Sequence, residues 1–204
     1  MRLFGRLKAG IVARGCALVL AGCEIYEPAS PEEISRARYV SEEPPSVTLI
    51  SMVSNRTGRS AHSALLINGS ERVLYDPAGT FTHPDLPRRG DIHYGMTPRY
   101  LDYYERYHAR HSHHVHSQTV HVSRATADQV LANAQARGPT PKLLCNTAVA
   151  AVLRPVPPFT GISGSISPAP ARRDFAQIPG VAESFVYGDD PGQTRVWETE
   201  AAGG

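Results

Sequence analysis

Cys145 opens the stretch Cys145-Asn-Thr-Ala-Val-Ala-Ala-Val-Leu153, an apolar, alanine-rich segment that reads as a short helix ended by Pro155. A thiol attacks only as the thiolate, and the unpaired N–H groups and positive dipole end of a helix start favour that form. An imidazole must then take the proton and return it to a leaving group, and a third polar group must orient that imidazole. His62 and Asp76 are the candidates for these roles. The chemistry so assembled is hydrolysis or transfer of an acyl or amide group through a thioester on Cys145, with the Cys145 N–H as one oxyanion donor. The alternative for a lone cysteine is an inert thiol packed as a small hydrophobe.

The elements that must position these residues follow from pattern. Residues 46–53, Ser-Val-Thr-Leu-Ile-Ser-Met-Val, are β-branched and apolar and read as a strand. Two further runs, 61–67 and 71–76, flank Asn68-Gly69-Ser70 and read as a hairpin, because Asn and Gly both tolerate positive φ. The hairpin brings His62, at the start of one strand, to Asp76, at the end of the other. Residues 77–97 form a long, proline- and glycine-rich loop of the kind that serves as a lid or binding segment. Thr97-Pro98 opens a helix to about Arg110, whose tyrosines suit core packing. A strand over 113–122 and a helix ending at Gly138, with Thr126 and Gln129 in capping-box spacing, come next. Short closing elements are expected at 171–176, 184–187 and 194–197. The fold class is α+β, a small antiparallel sheet with helices packed on one side.

His62-Ser-Ala-Leu-Leu-Ile67 and Leu144-Cys-Asn-Thr147, in that order, resemble the circularly permuted branch of the papain-like NlpC-type superfamily, which includes the lecithin retinol acyltransferase group. The resemblance spans about residues 46–154. It implies a cysteine opening a helix on a small antiparallel sheet and a histidine on the sheet that activates it. The superfamily's third position is often His or Asn where this chain has Asp76, and the polar residue often found before the cysteine is Leu144 here. The whole chain also resembles a set of alphaproteobacterial lipoproteins, which implies no activity.

Other polar residues admit other roles. Asp91 and His93 in the long loop are candidates for a substrate entrance, and His114 is a candidate substrate contact or substitute base. His114 and His116 share a strand face, and His111 or His93 within reach would make an imidazole site for Zn²⁺ or Cu²⁺. A solvated strand face explains the same spacing, and neither a metal nor another cofactor enters the leading reading.

The first 22 residues have a basic start (Arg2, Arg6, Lys8, Arg14), an apolar run and no acid, as a removable export signal does. Leu20-Ala21-Gly22-Cys23 reads as a lipobox, with Cys23 lipidated and residues 23–45, rich in Pro and Glu, as a tether to a domain over 46–204. Loss of the signal removes four of 21 Lys and Arg and none of 19 Asp and Glu, leaving a charge of about −2. Nucleic acid is therefore not an expected partner. Cys16 leaves with the signal, so Cys145 is the one free thiol expected in an oxidising compartment. The expected location is the cell envelope, on an outer membrane facing the periplasm, where a peptidoglycan peptide or a lipid is at hand as substrate. The second functional reading is a non-catalytic envelope lipoprotein that binds a partner, and the third a His-rich metal-binding protein.

Overall fold

The chain's most continuous run of β-branched and apolar residues forms strand β1 (Ser46–Ser54), which is buried up to its final residue. Such a run needs cover on both faces, and the computed structural model, which describes residues 27–188, supplies it. β1 pairs antiparallel with β2 (Ser60–Asn68) on one side and with β6 (His113–His121) on the other. β3 (Arg72–Tyr75), β4 (Arg88–Arg89), β5 (Ile92–His93) and β7 (Ala182–Val186) complete a seven-stranded antiparallel sheet ordered β4-β5-β3-β2-β1-β6-β7. The helices are α1 (Pro31–Ala37), α2 (Pro98–His108), α3 (Arg124–Arg137), α4 (Cys145–Leu153) and α5 (Pro168–Phe175).

Alternation along the strands divides the core in two. Val47, Leu49, Leu65, Ile67 and Tyr75 point to the face covered by α3, α4 and α5. Ile50, Met52, Ala64, Leu66 and Leu74 point the other way, where Phe81, Leu86, Met96 and Tyr104 cover them. Three helices thus pack on one side, as the α+β reading expects. The second side is closed by α2 and the loop after β3, whose residues 88–93 fold into a two-strand extension of the sheet. Leu49, Leu65 and Ile67 are fully buried, and each such side chain contributes about 1.5–3 kcal/mol.

Two sequence expectations are met by different local means. The hairpin forms, but Asn68 stays in register opposite Arg72, so the connection is the three residues 69–71. The Asn68 amide is used instead to hold the carbonyls of Glu43 and Pro44. Gly69 is needed for close approach: a Cβ there would lie 2.2 Å from the Asp128 carboxylate, which accepts from the Ser70 N–H and hydroxyl at 2.6 Å each. The cap of α3 is Ser123, accepting from the Thr126 N–H, and not Thr126. Thr97 caps α2 and Gly138 ends α3 at φ 71°, both as expected.

The described part of the 23–45 segment lies along the domain and carries α1. Arg72 is buried and needs a counter-charge, which Glu43 supplies at 3.0 Å, and the Tyr39 carbonyl accepts from the Arg72 N–H. Arg38 donates to the Ser70 carbonyl at 2.6 Å. The export signal, Cys23 and the strand expected over 194–197 lie outside the described residues.

The Gly69–Asp128 approach yields a test. Gly69→Ala is expected to destabilise the protein by about 1–3 kcal/mol through overpacking. The cost should shrink when Asp128→Ala is also present. Urea unfolding of the two single variants and the double variant measures the coupling.

Candidate active site

His62, Asp76 and Cys145 meet at the end of the sheet where β3 stops. β2 pairs with β3 only from Leu65 opposite Tyr75 onward, so the next step in register sets Asp76 across from Ala64 and diagonal to His62. A β-bulge between Met52 and Val53 leaves Ala61 as an extra residue just before His62. Bulges re-aim side chains in this way. The His62 Nε2 lies 2.6 Å from Asp76 Oδ1, and Tyr104 of α2 donates its hydroxyl to the same oxygen at 3.1 Å.

Asp76 is fully buried, and the turn that follows is shaped around it. Gly79 N–H donates to the Asp76 carbonyl, and a Cβ at Gly79 would fall 1.9 Å from Asp76 Oδ2. Between them Ala78 is held at φ 58°, a left-handed conformation costing a non-glycine residue roughly 1–2 kcal/mol. Leu143, two residues before Cys145, is likewise at φ 72°. Strained positions therefore follow Asp76 and precede Cys145 in the chain, a clustering that functional sites show.

Cys145 is the first residue of α4 and is 6% exposed. Leu144, the N-cap residue, makes no side-chain capping bond, so the first N–H groups of the helix are left to the thiol and to anything bound there. Asn146 is fully buried and donates to carbonyls of Ser163 and Ser165, fixing the loop after α4 against the helix start.

Electrostatics divide the titratable groups into two sets. Burial alone would lower His62, but the Asp76 charge and hydrogen bond outweigh it, with the Cys145 thiol adding to them, and raise it to about 10. Burial would raise Cys145, yet hydrogen bonding to His62, the His62 charge and the N–H groups of Ser63 and Asn146 bring it below the ordinary thiol range. Asp76 is pushed well below the usual carboxylate range: burial works against the charge, and His62, His108 and His93 overcome it. With Nε2 held by Asp76, Nδ1 is the ring nitrogen left for the sulfur. The arrangement favours a thiolate beside an imidazolium. By contrast, burial lowers His93 and His108 to about 4 each, against the pull of Asp76, so both are neutral rings.

Beside His62 runs a groove of about 450 Å³, lined among others by Ala78, Gly79, Tyr107, His108 and Arg110. It opens on the His62 side of the site.

The remaining candidates lie elsewhere. His93 is 1% exposed and sits behind Asp76 with Phe81 edge-on to its ring. Asp91, also buried, accepts from the Thr140 N–H at 2.8 Å and pairs with Arg88 at 3.3 Å. Neither lines an entrance, because closing the sheet edge buries both. His114 is on β6, beyond β1 from His62, bound to Asn55 at 2.7 Å and stacked on Tyr187. His116 shares its face but stacks on Phe185, with Glu183 at 3.4 Å. Among the described residues no cluster of three or more His, Cys, Asp or Glu is placed to hold a metal.

Sequence reasoning missed Tyr104 and His108. The signal was their spacing: four apart on α2, they share the helix face turned to the sheet. No known protein family, curated protein or solved structure was found to match the chain.

Two pH limbs of stability follow. His93 and His108 have depressed values in the folded state, so stability should fall as pH drops from about 6.5 toward 4, by about 3 kcal/mol for each ring at the acid end. The raised His62 contributes in full below about 6.5 and loses its contribution as pH rises through about 10. Urea midpoints measured from pH 4 to 10 should peak near neutrality, and His93→Phe should remove about half of the acid limb.

Proposed function

We propose that the protein is a cysteine hydrolase or acyl or amide transferase that works through a thioester on Cys145. The observation that carries this reading is the joining of a thiol at an uncapped helix start to an imidazole held by a buried carboxylate. Cys145 attacks as the thiolate. His62, already protonated, gives its proton to the departing amine or alcohol, and Asp76 and Tyr104 keep the ring in place. The N–H groups at the start of α4 stabilise the oxyanion of the tetrahedral intermediate. This is the chemistry implied by the resemblance to the permuted papain-like NlpC-type superfamily.

The same proposal places the mature chain in the cell envelope, anchored by lipid on Cys23, where a peptide or lipid acyl group is the substrate. The intact mass of protein purified from membranes tests that part. It should begin at Cys23 with acyl groups attached, and a Cys23→Ser variant should lose them.

Alkylation by iodoacetamide tests the site itself. In the folded protein the rate should reach half its maximum well below pH 8.5, the midpoint of an ordinary thiol. His62→Ala should restore an ordinary midpoint and slow labelling at pH 7 by about 10-fold or more. Asp76→Asn should act in the same direction, and Cys145→Ala should abolish labelling. Resistance of the wild-type thiol until the protein unfolds would leave the reading of an inert cysteine and a non-catalytic lipoprotein.

A further inference from the structure

Leu143 and Ile166 are large apolar side chains left in water, 81% and 66% exposed, and neither joins the core on either side of the sheet. Both stand beside the first turn of α4. Leu143 is two residues before Cys145. Ile166 lies between Ser165 and Ser167, whose carbonyls accept from the Asn146 side-chain amide at 2.7 and 3.3 Å. The Ser165 hydroxyl also donates to the Ser167 carbonyl at 2.8 Å, so the loop that presents Ile166 is fixed. Exposed apolar side chains grouped in this way mark an interaction surface.

The surroundings of these two residues are cationic. From 129 to 173 the chain has Arg137, Lys142, Arg154, Arg172 and Arg173 and no Asp or Glu. Lys142 adjoins Leu143, and Arg154 extends to the Ile166 loop, where a Cβ on Gly164 would lie 3.6 Å from its Nη1. Both cations are exposed. The acids that border the stretch are engaged by the protein itself: Asp128 by Ser70, Asp174 by the Ser163 N–H at 2.9 Å and Asp91 by the Thr140 N–H. Apolar tips flanked by Lys and Arg suit an anionic bilayer, because the tips enter the interface while the cations meet negative headgroups.

The start of the described chain lies on the same side. Pro28 and Pro139 line one groove between α1 and the end of α3, and Pro139 is three residues before Lys142. Cys23, the residue expected to carry lipid, is four residues before Glu27, a span of at most about 14 Å. An anchor that short holds the domain against the bilayer. A lipid surface is therefore always within reach of this face, which an acidic protein partner is not.

We propose that the rim formed by Lys142, Leu143, Arg154 and Ile166 docks the lipid-anchored domain on an anionic bilayer, with Leu143 and Ile166 entering the headgroup region. This rests on the Cys23 lipidation reading above and is independent of the chemistry at Cys145. Docking sets the start of α4, and with it the thiol, at the membrane surface.

The test is amide hydrogen exchange of the mature chain, purified from membranes and reconstituted in vesicles, with its intact mass read on the same preparation. In vesicles of phosphatidylcholine and phosphatidylglycerol, the amides of 142–144 and 164–167 should exchange about 10-fold more slowly than in phosphatidylcholine alone. Leu143→Ser with Ile166→Ser should abolish that difference, as should Lys142→Glu with Arg154→Glu. Protection that persists in both double variants overturns the rim. Equal exchange of the wild-type loops in the two kinds of vesicle overturns the anionic bilayer as partner and decides without any variant. Protection that is lost when a co-purifying envelope protein is removed, vesicles still present, gives the rim to a protein partner and overturns the inference as well. Each of these results on an acylated chain leaves the Cys23 reading intact, whereas a mass without acyl groups overturns that reading and the inference together.

Discussion

A carboxylate with no exposure to water organises one end of this protein. Transfer of an isolated carboxylate into the interior is costly enough that the group would sooner take a proton. Asp76 stays charged because the His62 imidazolium and the Tyr104 hydroxyl bond to one of its oxygens. The chain bends to accommodate it: the turn at 76–79 holds Ala78 in a left-handed conformation, and Gly79 leaves room where any side chain would strike Oδ2. The bulge at Ala61 rotates β2 so that His62 reaches across. Strand pairing, turn and helix α2 are all fitted to one anion.

That anion sets the state of every other titratable group near the thiol. It raises His62, which in turn lowers Cys145, so a charge with no contact to solvent is passed on to a sulfur at the mouth of α4. Burial, with the His62 cation and Arg110 adding to it, keeps His108 neutral although it feels the same carboxylate. Two rings 6.1 Å apart thus differ in charge because one bonds directly to Asp76 while burial holds the other neutral.

Much of this was legible in the sequence. The strand over 46–53, the hairpin carrying His62 to Asp76 and the helix opened by Cys145 follow from residue pattern, because period and turn chemistry are local properties. The opposite side of the site was not. Tyr104 and His108 belong to a helix with enough aromatic residues for packing to explain all of them, and only tertiary placement shows that one bonds the carboxylate. Asp91 and His93 misled for a related reason: polar residues in a long loop suggest exposure, whereas this loop folds back as two short strands and buries them. The Asn68-Gly69 turn was found for the wrong cause. Gly69 is required by the Asp128 carboxylate above it, a contact that links residues far apart in the chain.

Stability alone gives little reason for such a site. A buried ion pair repays its desolvation only with good geometry and full satisfaction, and apolar residues of like volume often hold a fold as well or better. Here Asp76 Oδ2 and both His93 nitrogens lack hydrogen-bond partners, Ala78 and Leu143 are strained, and α4 begins without a side-chain cap. Each is a cost that leucines, a glycine and a serine would remove. What those replacements cannot supply is a lasting positive charge on an imidazole beside a thiol at an uncapped helix start. The costs fall where that charge is made and where it would act, which is the distribution expected if the end of the sheet is shaped for reaction and the rest of the sheet for holding it together.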